Sequence, residues 1–251
     1  MNKINLKTPE ELDTMREGGQ KLGRIKKKLK DAVKPGVSAL EIERLATKLI
    51  KAEGGEASFA KVPGYSWATC ISVNEGVVHG IPKKEVVFGD DDIVSVDVGI
   101  FYKGFHTDTS LSVYLGKDPE KARFVEIGRE SLNKAIFQVK IGKTIGDISA
   151  AMEKSLKKHG LYPVKSLVGH GVGRELHEEP MIPCFVSGAK VEKTKIVEGM
   201  ALAVEVMYAQ GSGEVIVGKD GWTISTKNGR MSGLFEETVA VTQNGTVVLT
   251  K

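Results

Sequence analysis

With 251 residues, 41% of them hydrophobic and 27% charged, the chain is long enough to bury a substantial core, so neither a disordered tail nor a disulfide-bound mini-scaffold describes it. The opening MNKINLKTPEELDTMREGG lacks the apolar core of a secretory signal, and no stretch reaches bilayer-spanning length, so a cytoplasmic location without membrane contact is expected. The formal net charge of +4 owes much to the lysine-rich stretch from Arg24 to Lys34; two cysteines, Cys70 and Cys184, are expected as free thiols.

In chain order, Thr8-Pro9-Glu10-Glu11 reads as a helix start, with threonine as N-cap, proline in the first turn and acidic residues at the positive helix end. The helix predicted from it runs from Glu10 to Val33. Leu22, Ile25, Leu29 and Val33 mark its buried stripe, which leaves the lysines as a solvated face or, alternatively, a surface for an acidic partner such as ribosomal RNA. A second helix is predicted from Ser38 to Glu53. Its text, KPGVSALEIERLATKLIKAEGG, has a counterpart in KIGKTIGDISAAMEKSLKKHGL: Lys34 matches Lys140, Gly36 Gly142, Ser38 Thr144, Ile42 Ile148 and Gly54 Gly160, each at an offset of 106. DIVSVDVG, beginning at Asp92, matches MALAVEVM, beginning at Met200, which aligns Asp97 with Glu205. Amphipathic helices also look alike by chance, but the repeated caps, glycines and carboxylates favour an internal duplication. The expected architecture is therefore α+β: a curved, mostly antiparallel sheet backed by helices, in one domain of two pseudo-twofold halves, about 1–117 and 118–251.

The segment IVSVDVGIFYKGFHTDTSLSVYL alternates apolar and polar residues on both sides of Lys103-Gly104, as two strands joined by a tight turn would. With Tyr102 paired to Phe105, Asp97 faces Ser110 and Asp108 faces Gly99. Both carboxylates then lie on one face as diagonal neighbours, with backbones about 7 Å apart. Two anions that close need compensation, and divalent cations supply it. Solvated strand ends are the alternative, against which Val96 and Val98 argue. His170 sits among Gly169, Gly171 and Gly173; taken alone, a core or turn histidine is the favoured reading over a ligand. Glu205 stands in the apolar run ALAVEVMY, and Glu236 precedes TVAVT. Buried carboxylates require pairing, protonation or a metal. Four carboxylates and one histidine suffice for two metals with shared ligands, the stoichiometry of two-metal hydrolysis.

On these residues the chain resembles the type I methionine aminopeptidases, whose pita-bread fold is shared with the proline-specific aminopeptidases. The resemblance runs from Ile4 to Leu249 and is carried by CISVNEGVVHGIP, DVGIFYKGFHTDTS, GHGVGRELHEEP and DGWT in that order. It implies that Asp97, Asp108, His170, Glu205 and Glu236 bind two divalent ions (cobalt, manganese, iron, zinc or nickel), with Asp97 and Glu236 bridging. It implies a substrate contact from His177 to the scissile carbonyl and from His79 to the amide nitrogen, Glu205 as proton shuttle, and a methionine pocket including Tyr65, Cys70 and Trp222. The expected substrate is a nascent polypeptide, with the basic helix as a candidate surface for ribosome contact, no DNA, and a monomeric state.

The chain departs from the family pattern in carrying Val62 where an aromatic is usual, Leu176 for phenylalanine, Val206 for proline, and Leu234-Phe235-Glu236-Glu237-Thr238 around the last ligand. Glu237 is expected to point to the other sheet face, because neighbouring strand residues alternate. Two other readings compete. One is an Xaa-Pro aminopeptidase or dipeptidase, which usually has a further amino-terminal domain and more histidines. The other is a non-catalytic relative that binds peptides or RNA, a class that typically loses ligands.

Overall fold

A computed structural model describes residues 4–251. In chain order, helices α1 (Pro9–Ala32) and α2 (Ala39–Ala52) are followed by strands β1 (Glu56–Ala57), β2 (Thr69–Val73), β3 (Gly76–Val78), β4 (Ile93–Tyr102) and β5 (Phe105–Tyr114). Helices α3 (Pro119–Ile136) and α4 (Ile145–Lys157) then precede β6 (Leu161–Pro163), β7 (Val168–Gly171), β8 (Glu178–Pro183), β9 (Ala201–Gln210), β10 (Val215–Val217), β11 (Ile224–Thr226), β12 (Ser232–Thr242) and β13 (Gly245–Val248).

The helix starts follow from their caps. Thr8 and Glu11 form a reciprocal capping box with Pro9 in the first turn, so α1 begins one residue earlier than predicted and ends at Ala32, with Val33 as its C-cap. Ser38 with Glu41 caps α2, and Thr144 with Asp147 caps α4. Each of these two caps also makes an isolated antiparallel bridge, Ser38 to Val87 and Thr144 to Lys195. The text repeated at an offset of 106 thus adopts the same local structure twice.

The principal sheet runs in the order β1-β4-β5-β12-β9-β7-β8, with β2 added on β4, β6 on β9 and β13 on β12; β10, β11 and β3 form a smaller sheet. Along β4, Val96, Val98 and Ile100 enter an apolar cluster with Leu22, Ile25 and Leu29 of α1 and Ile42 and Ala46 of α2. Along β9, Val204, Val206 and Tyr208 pack with Phe124, Ile127 and Leu132 of α3 and Ile148 and Met152 of α4. Because strand side chains alternate, the residues between these valines, Asp97 and Glu205 among them, point to the opposite face.

The two sets of strands meet at β5 and β12, where only Ser110 with Glu236 and Thr109 with Glu237 are in register. Side-chain hydroxyls complete the joint. Thr238 Oγ1 accepts from Asp108 N at 2.9 Å and donates to Asp108 O at 2.8 Å, and Ser112 Oγ makes the equivalent pair of bonds to Leu234. Among the described residues no helix is long and apolar enough to cross a membrane.

Candidate metal centre and substrate cleft

The β4–β5 hairpin closes through Lys103 and Gly104, both at positive φ (47° and 90°), and pairs Tyr102 with Phe105. Asp97 therefore faces Ser110 and Gly99 faces Asp108, as the alternating pattern predicted. The register continues across the sheet: Cys70 pairs with Asp97, Ser110 with Glu236, and Glu236 with Glu205. One transverse row on the face away from the helices thus reads Cys70, Asp97, Ser110, Glu236, Glu205. The next row holds Gly99 and Asp108 at one end, and Thr238, Ala203 and His170 at the other. Small side chains between Asp108 and His170 leave room above the sheet. Ligand atoms of Asp108, His170 and Glu236 lie within 4.8 Å of one another, and His170 Nε2 is 3.9 Å from Glu205 Oε1. Glu236 lies inside β12 rather than ahead of an apolar strand, which is why its register with both neighbours is fixed.

Four carboxylates gathered under cover repel one another. Burial, reinforced by Asp108 and Glu205, pushes the Asp97 carboxyl well above its ordinary range, and burial raises Asp108 to about 7. Glu205 and Glu236 are raised for the same reasons, burial first and neighbouring carboxylates second. Asp97 Oδ1 and Glu236 Oε1 are buried with no hydrogen-bond donor. Hard oxygen donors left bare in a shared anionic site are what divalent cations satisfy. The histidine is prepared for the same task. Its Nδ1–H donates to Gly171 O at 2.8 Å, which turns the lone pair of Nε2 toward the carboxylates, and burial lowers its pKa to about 3, keeping the ring neutral. The residues present fit a divalent metal site.

Above the carboxylates opens a cavity of about 300 Å³. At one end Phe59, Tyr65, Cys70 and Leu176 form an apolar cluster with Val62, Trp67, Ile81 and Trp222, the rings of Tyr65 and Trp222 meeting edge-on at 5.0 Å. Tyr65 donates its hydroxyl to Thr69 O at 2.8 Å, and the strand start at Thr69 is held from behind by Glu43 of α2. That carboxylate accepts from Ala68 N, Thr69 N and Thr69 Oγ1 at 2.9, 2.9 and 2.6 Å. His79 and His177 line the cavity from the two halves of the chain. His79 sits at φ 56°, and the His177 ring packs edge-on against His170 at 4.5 Å. Burial lowers the pKa of both, so each is a neutral donor or acceptor.

All ten site residues singled out from the sequence line this cavity. Sequence reasoning missed Phe59, Val78, Met181 and Met207 on its walls, since none carries a chemical signature. Of the departures from the family pattern, Val62 and Leu176 face the cavity, whereas Val206 lies in the helix-side core between the two lining residues Glu205 and Met207 and does not line it. Glu237 turns to the helix side as expected, where Lys26 of α1 donates to it at 2.6 Å and Thr109 Oγ1 at 3.2 Å. Lys26 is accordingly not part of a free solvated face; Lys27, Lys28 and Lys30 are exposed. Both cysteines are buried free thiols.

The description of metallopeptidase family M24 matches residues 13–243 of this sequence. The chain belongs to that family. Relatives matched over nearly the full length include methionine aminopeptidases: that of Aquifex aeolicus is 37% identical over 255 residues, covering 99% of both chains. The crystal structure of methionine aminopeptidase from Thermotoga maritima superposes with a TM-score of 0.94 at 38% identity, covering 99% of this chain and 100% of the other. An Xaa-Pro dipeptidase from Bacillus anthracis shares the fold at a TM-score of 0.75 and 22% identity, and this chain covers only 62% of it. The fold of this M24 member is therefore the pita-bread fold, and the metallo-aminopeptidase reading fits better than the proline-specific or non-catalytic ones. Family membership brings divalent-metal hydrolase chemistry with it.

Proposed function

We propose that this chain removes amino-terminal methionine from nascent polypeptides, and that Asp97, Asp108, His170, Glu205 and Glu236 would hold the two divalent ions that supply the hydrolytic chemistry. The observation that carries the proposal is the double row of carboxylates and one histidine on one sheet face, with buried carboxylate oxygens lacking any donor, beneath a cavity with an apolar end. Cations held there would activate water and draw charge from the scissile carbonyl. The chain's own residues do the rest. Glu205, raised in pKa by burial, accepts a proton and passes it on. His177 donates a hydrogen bond to the substrate carbonyl, while His79 meets the amide nitrogen and helps the amine leave. The cluster of Tyr65, Cys70, Leu176 and Trp222 takes the flexible, polarizable methionine side chain. The proposed setting is the cytoplasm, with the enzyme a monomer whose exposed Lys27, Lys28 and Lys30 meet the ribosome.

The test is release of the first residue from Met-Ala-Ser, Leu-Ala-Ser and Ala-Pro-Ala after metal removal and re-addition of manganese or cobalt. Metal-dependent cleavage of the methionine peptide alone is expected. Preference for Ala-Pro-Ala would move the chain to the proline-specific side, and no cleavage with any metal would refute the proposal.

A further inference from the structure

Lys7 precedes the first helix, and nothing in the sequence around it suggests a role. Its ammonium group nevertheless lies inside the protein, 2.6 Å from Glu178 Oε2, with side-chain exposures of 1% and 2% for the two partners. Lys7 also donates to Asn5 O at 2.9 Å, and its backbone N–H donates to Gly199 O at 2.8 Å, so the segment is anchored on both sides of the side chain. The other Glu178 oxygen, Oε1, accepts from Glu175 N at 3.1 Å. Gly173 lies under the lysine stem: a Cβ there would come within 2.2 Å of Lys7 Cε. The carbonyl of Gly173 accepts from His106 N at 2.7 Å, which ties the loop to β5 just ahead of Asp108.

The segment Gly173–Glu178 is thus closed at its base by one buried ion pair. His177 is the residue immediately before Glu178, and Glu178 pairs with Gly171, the neighbour of His170. A buried ion pair is a weak source of stability compared with an apolar pair of the same volume, and its distinctive property is directional geometry. We propose that Lys7 is a positioning residue: through Glu178 it sets the loop that presents the His177 imidazole to the substrate carbonyl. This rests on the role proposed above for His177.

The experiment compares kcat, KM and bound manganese for Met-Ala-Ser hydrolysis in the wild type, Lys7→Met, Lys7→Met/Glu178→Gln, His177→Ala and the triple variant. Lys7→Met alone leaves an unpaired buried carboxylate and is the harsher change; the double variant removes the charge from both sides. The double variant is expected to lose about tenfold in kcat with KM and metal content held. In the His177→Ala background the same pair of changes should cost less than about twofold, because the group it positions is gone. An equal loss in both backgrounds, an undiminished kcat in the double variant, or failure of the double variant to fold would overturn the proposal. Full activity of His177→Ala itself would instead refute the role assigned to His177.

Discussion

Asp97 and Glu236 each bury an oxygen that no protein group satisfies, and His170 points a bare nitrogen at the same space. Such residues are poor for stability and good for binding a cation. Asp97→Ala and His170→Ala are each expected to lower peptide cleavage by about three orders of magnitude. Both variants should unfold in urea no earlier than the metal-free parent; full activity in either would sink the metal assignment. Removal of Asp97 should raise metal-free stability, since it takes one carboxylate out of a mutually repelling group. At this scale much was legible in the sequence, because a lone carboxylate inside an apolar strand, as with Asp97 between Val96 and Val98, is an expensive choice whose reason can be sought. Lys7 and Lys26 were not legible. Each meets its carboxylate across a separation of 171 or 211 residues, and a lysine reads as solvated until its partner is located.

Among the elements, α2 does more than cover the sheet. Glu43 shares its buried stripe with Ala39, Ile42, Ala46 and Ile50, and from there it fixes the backbone at Ala68 and Thr69. Glu43→Ala would strand two buried N–H groups, at a cost of about 2 kcal/mol. It would also loosen the Tyr65–Cys70 wall, so KM for methionine peptides is expected to rise about tenfold with kcat little changed. Titration calorimetry with a methionine-like inhibitor and a urea melt check both halves of the prediction; unchanged KM would mean that the wall holds without the helix. The signal that could have found Glu43 is a carboxylate at helical spacing from Ala39, Ala46 and Ile50, which the reading of the sequence passed over. The helix caps and the hairpin were legible from local chemistry, Thr8 with Glu11 and Lys103 with Gly104. The placement of β12 between β5 and β9 was not, because strand order depends on packing between distant segments.

For the whole molecule, the carboxylate site couples stability to pH and metal. In the metal-free protein the folded-state pKa values of Asp97, Asp108, Glu205 and Glu236 lie above their unfolded values, so the folded form binds more protons. The stabilisation is therefore complete below about pH 4, where unfolded carboxyls still hold their protons, and is lost as pH rises, through about 7 for Asp108. Melting temperature after chelation should fall between pH 5 and pH 8 by about 5 °C or more, and manganese should abolish the slope. A flat profile in the metal-free protein would mean that the carboxylates are neutralised by other groups. The transverse row has one more consequence. Cys70, Asp97, Ser110, Glu236 and Glu205 come from five strands, and sliding any one of them by a single residue would carry its side chain through the sheet into the hydrocarbon of the helix layer. The affinity for a cation is for this reason a proofreader of assembly: only a chain that has threaded every strand to the correct residue acquires it.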